Sequence, residues 1–299
     1  MSEPGPSFLR KAFYKALDLL LFSNIFIALC AVAQAQVTYY LLHVPCDKHV
    51  LAVLFFATLA LYNFSAFMSK PAEPKKSPFR RVRWVHRNYR LMITLTLISV
   101  LSLIVITPFF LSTASQVLLL FLGGIAISYN LPLFTLADKK FGLRNVPGLK
   151  LFLIALIWSL SCVLLPIVEL GNSQLVMIPA NDTIILIAKR FLFIAAITVP
   201  FDIRDLFQDR SYDLKTIPVI VGEKKSYLIC QGLLAAYLSL LFLFTQQFNS
   251  IFFALLSTIA ITGWLIFKSE FKKNEYYYFF LLDGTMILQA LMLLLFDCF

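Results

Sequence analysis

Long apolar stretches recur along the whole chain, separated by shorter segments that collect the charges and prolines. Each run is about 20 residues, enough at 1.5 Å per residue to cross roughly 30 Å of hydrocarbon. The pattern predicts nine membrane-spanning helices, over about 17–42, 49–68, 91–111, 114–132, 149–168, 182–200, 226–245, 250–267 and 276–296. Helices are required because lipid offers backbone groups no alternative hydrogen-bond partners. The expected fold is an all-α integral membrane protein, one domain over 1–299, with a nine-helix bundle around a central cavity. Residues 1–16 read as a short basic start, and the run after them is too long for a signal-peptide core. The polar segments 69–90 and 201–216 are the candidate site-forming loops, the first broken by Pro71, Pro74 and Pro78.

Composition agrees with the pattern: 60% of the 299 residues are hydrophobic, 30 are Phe, and mean hydropathy is +0.83, more apolar surface than a soluble domain can bury. The basic residues then fix an orientation. Of 26 Lys and Arg, three precede the first span, eight lie between spans two and three, four between four and five, five between six and seven, and three between eight and nine. Those 23 share one side, which the positive-inside rule makes cytoplasmic. The N-terminus is expected inside, the C-terminus outside, and the cavity open to the cytoplasm. The net charge of +10 therefore needs no nucleic-acid partner; topology and an anionic substrate suffice. Five isolated cysteines and three scattered histidines form no disulfide framework, redox pair or zinc spacing.

The most distinctive polar stretch runs from Pro200 to Pro218. Asp202, Asp205, Asp209 and Asp213 fall at i, i+3, i+7 and i+11, within about 80° of one another on a helix. Stacked like charges repel, and a divalent cation bridging them reverses the sign. Mg²⁺ suits such a set, because it takes one or two carboxylates and fills its remaining positions with water and phosphate. Arg204, Arg210 and Lys215 among the acids suit a phosphate surface. The plainer reading is a solvated, mixed-charge loop.

Spans two, four and six run in the same direction, so Asn63, Tyr129 with Asn130, and the Asp202 stripe are expected at one level, the cytoplasmic mouth. Arg80, Arg81, Arg83 and Arg87 follow span two, and Lys139, Lys140, Arg144 and Lys150 follow span four. Either set serves as a membrane anchor or as a diphosphate clamp. Asn24, Gln34 and Gln36 in span one are expected to face other helices. Arg190 and Asp283 lie inside spans at similar counted depths and are expected to pair.

These residues resemble the UbiA superfamily of membrane prenyltransferases. The likeness covers most of the chain: nine spans, polar loops after spans two and six, Tyr129 before a basic loop, and the run Asp202-Ile203-Arg204-Asp205 with Asp209-Arg210, then Lys215-Thr216-Ile217-Pro218 and Gly222. That run is similar to the family's second aspartate motif, closest to the menaquinone and chlorophyll branches. The resemblance implies transfer of an isoprenyl group from a prenyl diphosphate to a lipophilic acceptor in a bacterial cytoplasmic membrane. It also implies Mg²⁺ on Asp202, Asp205 and Asp209, Asp205, Asp209 and Arg204 in catalysis, and Tyr129 near the developing cation. Diphosphate contacts would come from Asn63, Arg80, Arg81, Arg83, Arg87, Arg144, Lys150, Arg210 and Lys215. The chain departs from the family at the first motif, Asn-Asp-x-x-Asp-x-x-x-Asp: Asn63 stands, but Phe64, Phe67 and Pro71 occupy the aspartate positions, and Asp213 replaces a usual glycine. The arginines of 80–90 are the candidate replacement for the missing metal half. A catalytically silent lipid-diphosphate binder or scaffold, and a transporter using Arg190 and Asp283 as a relay, are the competing readings.

Overall fold

The computed structural model describes residues 8–68, 73–131, 134–136, 139–141, 148–173, 177–206, 216–245, 248–269 and 274–297. Arg144, Asp209, Arg210, Asp213 and Lys215 lie outside the described residues. Apolar runs fold into helices whose ends are set by local chemistry. They are α1 (Phe8–Phe22), α2 (Ile25–Leu41), α3 (Lys48–Met68), α4 (Arg80–Arg87), α5 (Tyr89–Phe110) and α6 (Thr113–Asn130). Then follow α7 (Leu149–Asn172), α8 (Ala180–Arg204), α9 (Ile217–Val221), α10 (Glu223–Leu243), α11 (Ser250–Ser269) and α12 (Tyr277–Asp297). Asp47 Oδ1 accepts from His49 N at 2.7 Å and Val50 N at 3.3 Å, capping α3, and Asn249 does the same for α11 through Phe252 N. Ser112 caps α6, and Glu169 at the end of α7 accepts from Ser112 N and Oγ, tying α7 to the α5–α6 turn. A short antiparallel hairpin, β1 (Phe134–Leu136) with β2 (Lys139–Phe141), follows α6 and is a small departure from the all-α expectation.

Seven of these helices, α3, α5, α7, α8, α10, α11 and α12, are long and apolar enough to cross a membrane, and the chain is an integral multi-pass membrane protein. Leu97, Leu101, Ile104, Val105 and Phe109 stand exposed along α5, as a lipid-facing surface requires. Packing links α2 to α3 and α12, α12 to α11, α11 to α10, α10 to α8, and α8 to α7, with α6 bridging α7 and α3. The ring encloses the cavity described below.

Two expectations of the bundle's geometry are corrected, and Gln36, expected to face another helix, stands exposed. The first predicted span, 17–42, is two helices: α1 and α2 meet at 62°, with Asn24 left-handed (φ 68°) between them. Phe13, Tyr14 and Leu19 on α1 point outward, consistent with a helix lying along the interface. With the bent pair counted once, eight spans pass on length and composition, and α6 is apolar but shorter. Second, Arg190 and Asp283 do not pair. Arg190 donates to the Gln34 carbonyl at 2.9 Å, to Gln34 Oε1, and to Thr38 Oγ1 at 3.3 Å. Asp283 lies level with Cys30, whose thiol donates to its carbonyl at 3.4 Å. Four residues of α2 separate Cys30 from Gln34, about 6 Å of axial rise. Counting residues along separate helices gave the approximate depth but not the face.

Candidate functional site

Helix α4 is the sequence 80–87 in which polar and apolar positions alternate at helical spacing, and it lies across the bundle end where α2 begins and α3 and α8 finish. Acids hold it there. Glu275 accepts from the backbone N–H of Arg80 at 2.6 Å and Arg81 at 2.9 Å, a carboxylate at a helix N-terminus. Asp18 on α1 accepts from Arg80 Nη2 at 2.6 Å and also takes the Tyr276 hydroxyl. That hydrogen bond to Asp18 raises the pKa of Arg80 and commits its charge to anchoring.

So anchored, α4 directs Arg81 inward. Its Nη2 donates to Asn24 Oδ1 at 2.7 Å, and Asn24 Nδ2 donates to Asn63 Oδ1 at 2.7 Å. The chain of bonds crosses α4, the α1–α2 break and α3. Arg81 also sits over the Phe279 ring, 4.8 Å from its centroid. The same ring carries a second guanidinium: Arg204, at the end of α8, is 4.9 Å from the Phe279 centroid, with Phe201 and Tyr278 beside it. Arg204 forks onto the adjacent Asp205 through Nε–Oδ1 at 2.9 Å and Nη2–Oδ2 at 3.0 Å. Its remaining nitrogen, Nη1, is buried and makes no hydrogen bond among the described residues. Burial, and after it the charge of Arg204, lower the pKa of Arg81. Two like charges therefore converge on one ring, and an anion between them relieves both the repulsion and the unsatisfied donor.

Below lies a cavity of about 500 Å³, within the range of small-molecule sites. Arg81, Tyr129, Lys150, Asp202, Arg204 and Asp205 line its polar end. Ala31, Leu54, Leu119, Leu122, Ile194 and Met286 line the other. From Asp205 to Ile194 along α8 is eleven residues, about 16 Å of apolar depth.

The expected residues divide accordingly. Tyr129 and Lys150 are on the wall, and Asn63 stands just behind it, buried and bonded to Asn24. Arg80, Arg83 and Arg87 are not: Arg80 holds Asp18, Arg83 bonds the Ser77 and Pro78 carbonyls, and Arg87 is exposed on the outer side of α4. Of the aspartate stripe, Asp202 lies on α8, which ends at Arg204, and Asp205 closes that helix; Asp209 and Asp213 lie outside the described residues. Asn24, Tyr62, Trp158 and Asp283 join the wall. Of these, Asn24 and Asp283 carried a signal in the sequence, each a polar residue inside an apolar run.

The donors available to Mg²⁺ are of the right chemical type but are already engaged. Asp202, 2% exposed, has Oδ1 2.5 Å from Lys150 Nζ, and both oxygens of Asp205 are held by Arg204. Among the described residues no three His, Cys, Asp or Glu side chains are grouped to hold a metal. Among the described residues the mouth presents protein cations to an anion, and Asp209, the third expected metal ligand, lies outside them.

No protein-family model matches the chain, and no curated protein matches its sequence. Solved structures do match its shape. A UbiA homologue from Aeropyrum pernix K1, in its apo form, is 14% identical with a TM-score of 0.65, covering 92% of this chain and 99% of that one. A UbiA homologue from Archaeoglobus fulgidus bound to DMAPP and Mg²⁺ is 14% identical with a TM-score of 0.61, covering 94% and 98%. The same homologue bound to GPP and Mg²⁺ gives 14% and 0.59 over the same shares. The chain has the fold of these UbiA homologues.

Proposed function

We propose that this chain is a divergent member of the UbiA superfamily that binds a prenyl diphosphate and transfers its prenyl group to a lipophilic acceptor within the membrane. The observation that carries the reading is the pair Arg81 and Arg204 on one ring, with Arg204 Nη1 unbonded among the described residues, above an apolar cavity. A diphosphate bridging the two guanidiniums places its tail along the apolar wall. Arg81 is seated through Asn24 on Asn63, the residue of the altered first motif that remains, which supports its standing in for the missing carboxylates' metal. Lys150 is a third cation at the same level, and Tyr129 lines the wall beneath. Preorganised cations stabilise the departing diphosphate without a proton transfer, and such electrostatics are usually the largest catalytic term.

Mg²⁺, which accompanies the ligands in two of the similar structures, would supply Lewis-acid neutralisation of diphosphate oxygens if bound. Here Asp202 and Asp205 are engaged by Lys150 and Arg204, so the protein cations are assigned the main share of diphosphate binding. The same engagement supports the second reading, a lipid-diphosphate binder without turnover. One experiment separates the two. Purified protein in detergent is given farnesyl or geranylgeranyl diphosphate, with membrane lipid extract as the source of acceptor, and diphosphate release and binding are both measured. Release with product formation is expected. Removing Mg²⁺ with EDTA is expected to weaken diphosphate binding by less than tenfold. Saturable binding without release favours the silent binder, and no binding at all removes both. The transporter reading loses its relay with the separation of Arg190 and Asp283.

A further inference from the structure

Helix α12 opens on a π-helical turn, Tyr277–Leu282, and Asp283 follows it, with Asp283 N donating to the Tyr278 carbonyl at 3.1 Å. Such wide turns insert an extra residue, re-aim the side chains beyond them, and are common at functional sites. Gly284 makes this one possible: a Cβ there would stand 2.1 Å from the Phe280 carbonyl oxygen. The carbonyl of Asp283 is held by Cys30 Sγ, so the backbone is fixed while the side chain lines the cavity.

Among the described residues, the Asp283 carboxylate makes no hydrogen bond and no ion pair. Arg204 and Arg81 face it at longer range from α8 and α4, and Tyr62 on α3 and Cys30 on α2 are the other titratable groups near it. A carboxylate in a membrane bundle without a close partner is costly to keep and marks a functional position. Its depth is informative. Cys30, level with the Asp283 backbone carbonyl, is six residues along α2 from Asn24, about 9 Å of axial rise, and the Asp283 side chain leans back from there toward the arginines. Tyr62 and Trp158 cross edge to face at 6.5 Å and both line the cavity, giving an aromatic wall near this carboxylate. A second π-helical turn, Leu160–Leu164 in α7, puts Ser161 and Cys162 on the same cavity.

We propose that Asp283, beside Tyr62 and Trp158, lines the subsite for the prenyl acceptor and takes the proton that the acceptor loses. The inference rests on the prenyl-transfer reading. The allylic C–O bond breaks, and diphosphate remains on Arg81 and Arg204. The allylic carbon bonds to the acceptor, whose displaced proton passes to the Asp283 carboxylate and leaves through the mouth. An anionic acceptor group would be repelled at Asp283 and belongs instead at the arginines.

The test uses full-length protein in detergent with geranylgeranyl diphosphate as donor, 1-naphthol and 1-naphthylamine as acceptor probes, and dicyclohexylcarbodiimide, which modifies protonated carboxyls in apolar surroundings. Wild type is expected to be labelled at Asp283, more than fivefold more slowly with either probe present, and to prenylate at least one probe. Asp283→Asn is expected to lose roughly 100-fold in transfer, the usual range for a lost general base. Its binding of geranylgeranyl thiolodiphosphate should change less than threefold. Asp283→Glu should recover part of the rate, and the acid limb of the kcat profile should vanish only in Asp283→Asn. Transfer by Asp283→Asn near the wild-type rate with an unchanged pH profile overturns the proposal, as does failure of both probes to protect or react. Wild type that binds the donor but never releases diphosphate overturns the transfer reading itself. Normal turnover with Asp283 unlabelled overturns the role of Asp283 alone.

Discussion

Arg81 and Arg204 repel each other across Phe279, and burial with that repulsion lowers the pKa of Arg81. Each is held by something else: Arg81 by Asn24, Arg204 by Asp205. A hydrogen bond to a charged group is worth about 1.5–3 kcal/mol, so Arg204→Ala is expected to weaken geranylgeranyl thiolodiphosphate binding by roughly 10- to 100-fold. Arg204→Lys should rescue little, because a point charge cannot fork onto Asp205 and reach a phosphate together. Arg83→Ala, on the outer side of α4, should leave binding within twofold. Isothermal titration on the three variants decides it, and equal losses for Arg83→Ala and Arg204→Ala would sink the assignment. The Asp202–Asp205 run was legible as chemistry because acids and bases alternate there against an apolar background. The pairing of Asp202 with Lys150 was not, because the two are 52 positions apart and only the bundle brings them together. Arg80 and Arg81 were indistinguishable in sequence; which one faces inward depends on Glu275 and Asp18 holding α4 from two other segments.

At the scale of elements, the spans were readable because the bilayer imposes length and apolarity on each, whatever it packs against. Interruptions were not. A left-handed Asn24 splits the first predicted span, and the π-helical turns in α7 and α12 hide inside apolar runs whose composition they do not alter. Gly284 gives a direct test of the second turn. Adding a methyl against the Phe280 carbonyl forces the turn to shift, at a cost of about 1–3 kcal/mol by comparison with other overpacked sites. Gly284→Ala is therefore expected to lower the midpoint of thermal unfolding in detergent and to slow carbodiimide labelling of Asp283. Gly232→Ala, on an exposed face of α10 with nothing within 4 Å of the added Cβ, should be neutral or stabilising by up to about 1 kcal/mol. Matching behaviour of the two variants would mean the wide turn is not built around Gly284.

For the whole molecule, the uneven charge and the placement of the cavity make one connected claim. The basic residues collect at the end where Arg81, Lys150 and Arg204 meet, and the opposite end carries few. If the positive-inside rule orients the bundle, the mouth faces the cytoplasm and the α2–α3 loop faces out. Cys46 reports on this because it is exposed in that loop, while Cys30, Cys162 and Cys230 are buried in the bundle. With Cys298 replaced by serine, a membrane-impermeant maleimide applied to intact cells should label the protein, and Cys46→Ser should abolish the signal. Labelling that appears only after permeabilisation would reverse the bundle. The basic end would then face outward against its charge, and the arginines would have to be explained by the site alone, with no share left for topology. The two explanations of the basic residues, anchoring and diphosphate binding, are in this way separable: orientation answers to the total on one side, and binding answers to the few cations on the cavity wall.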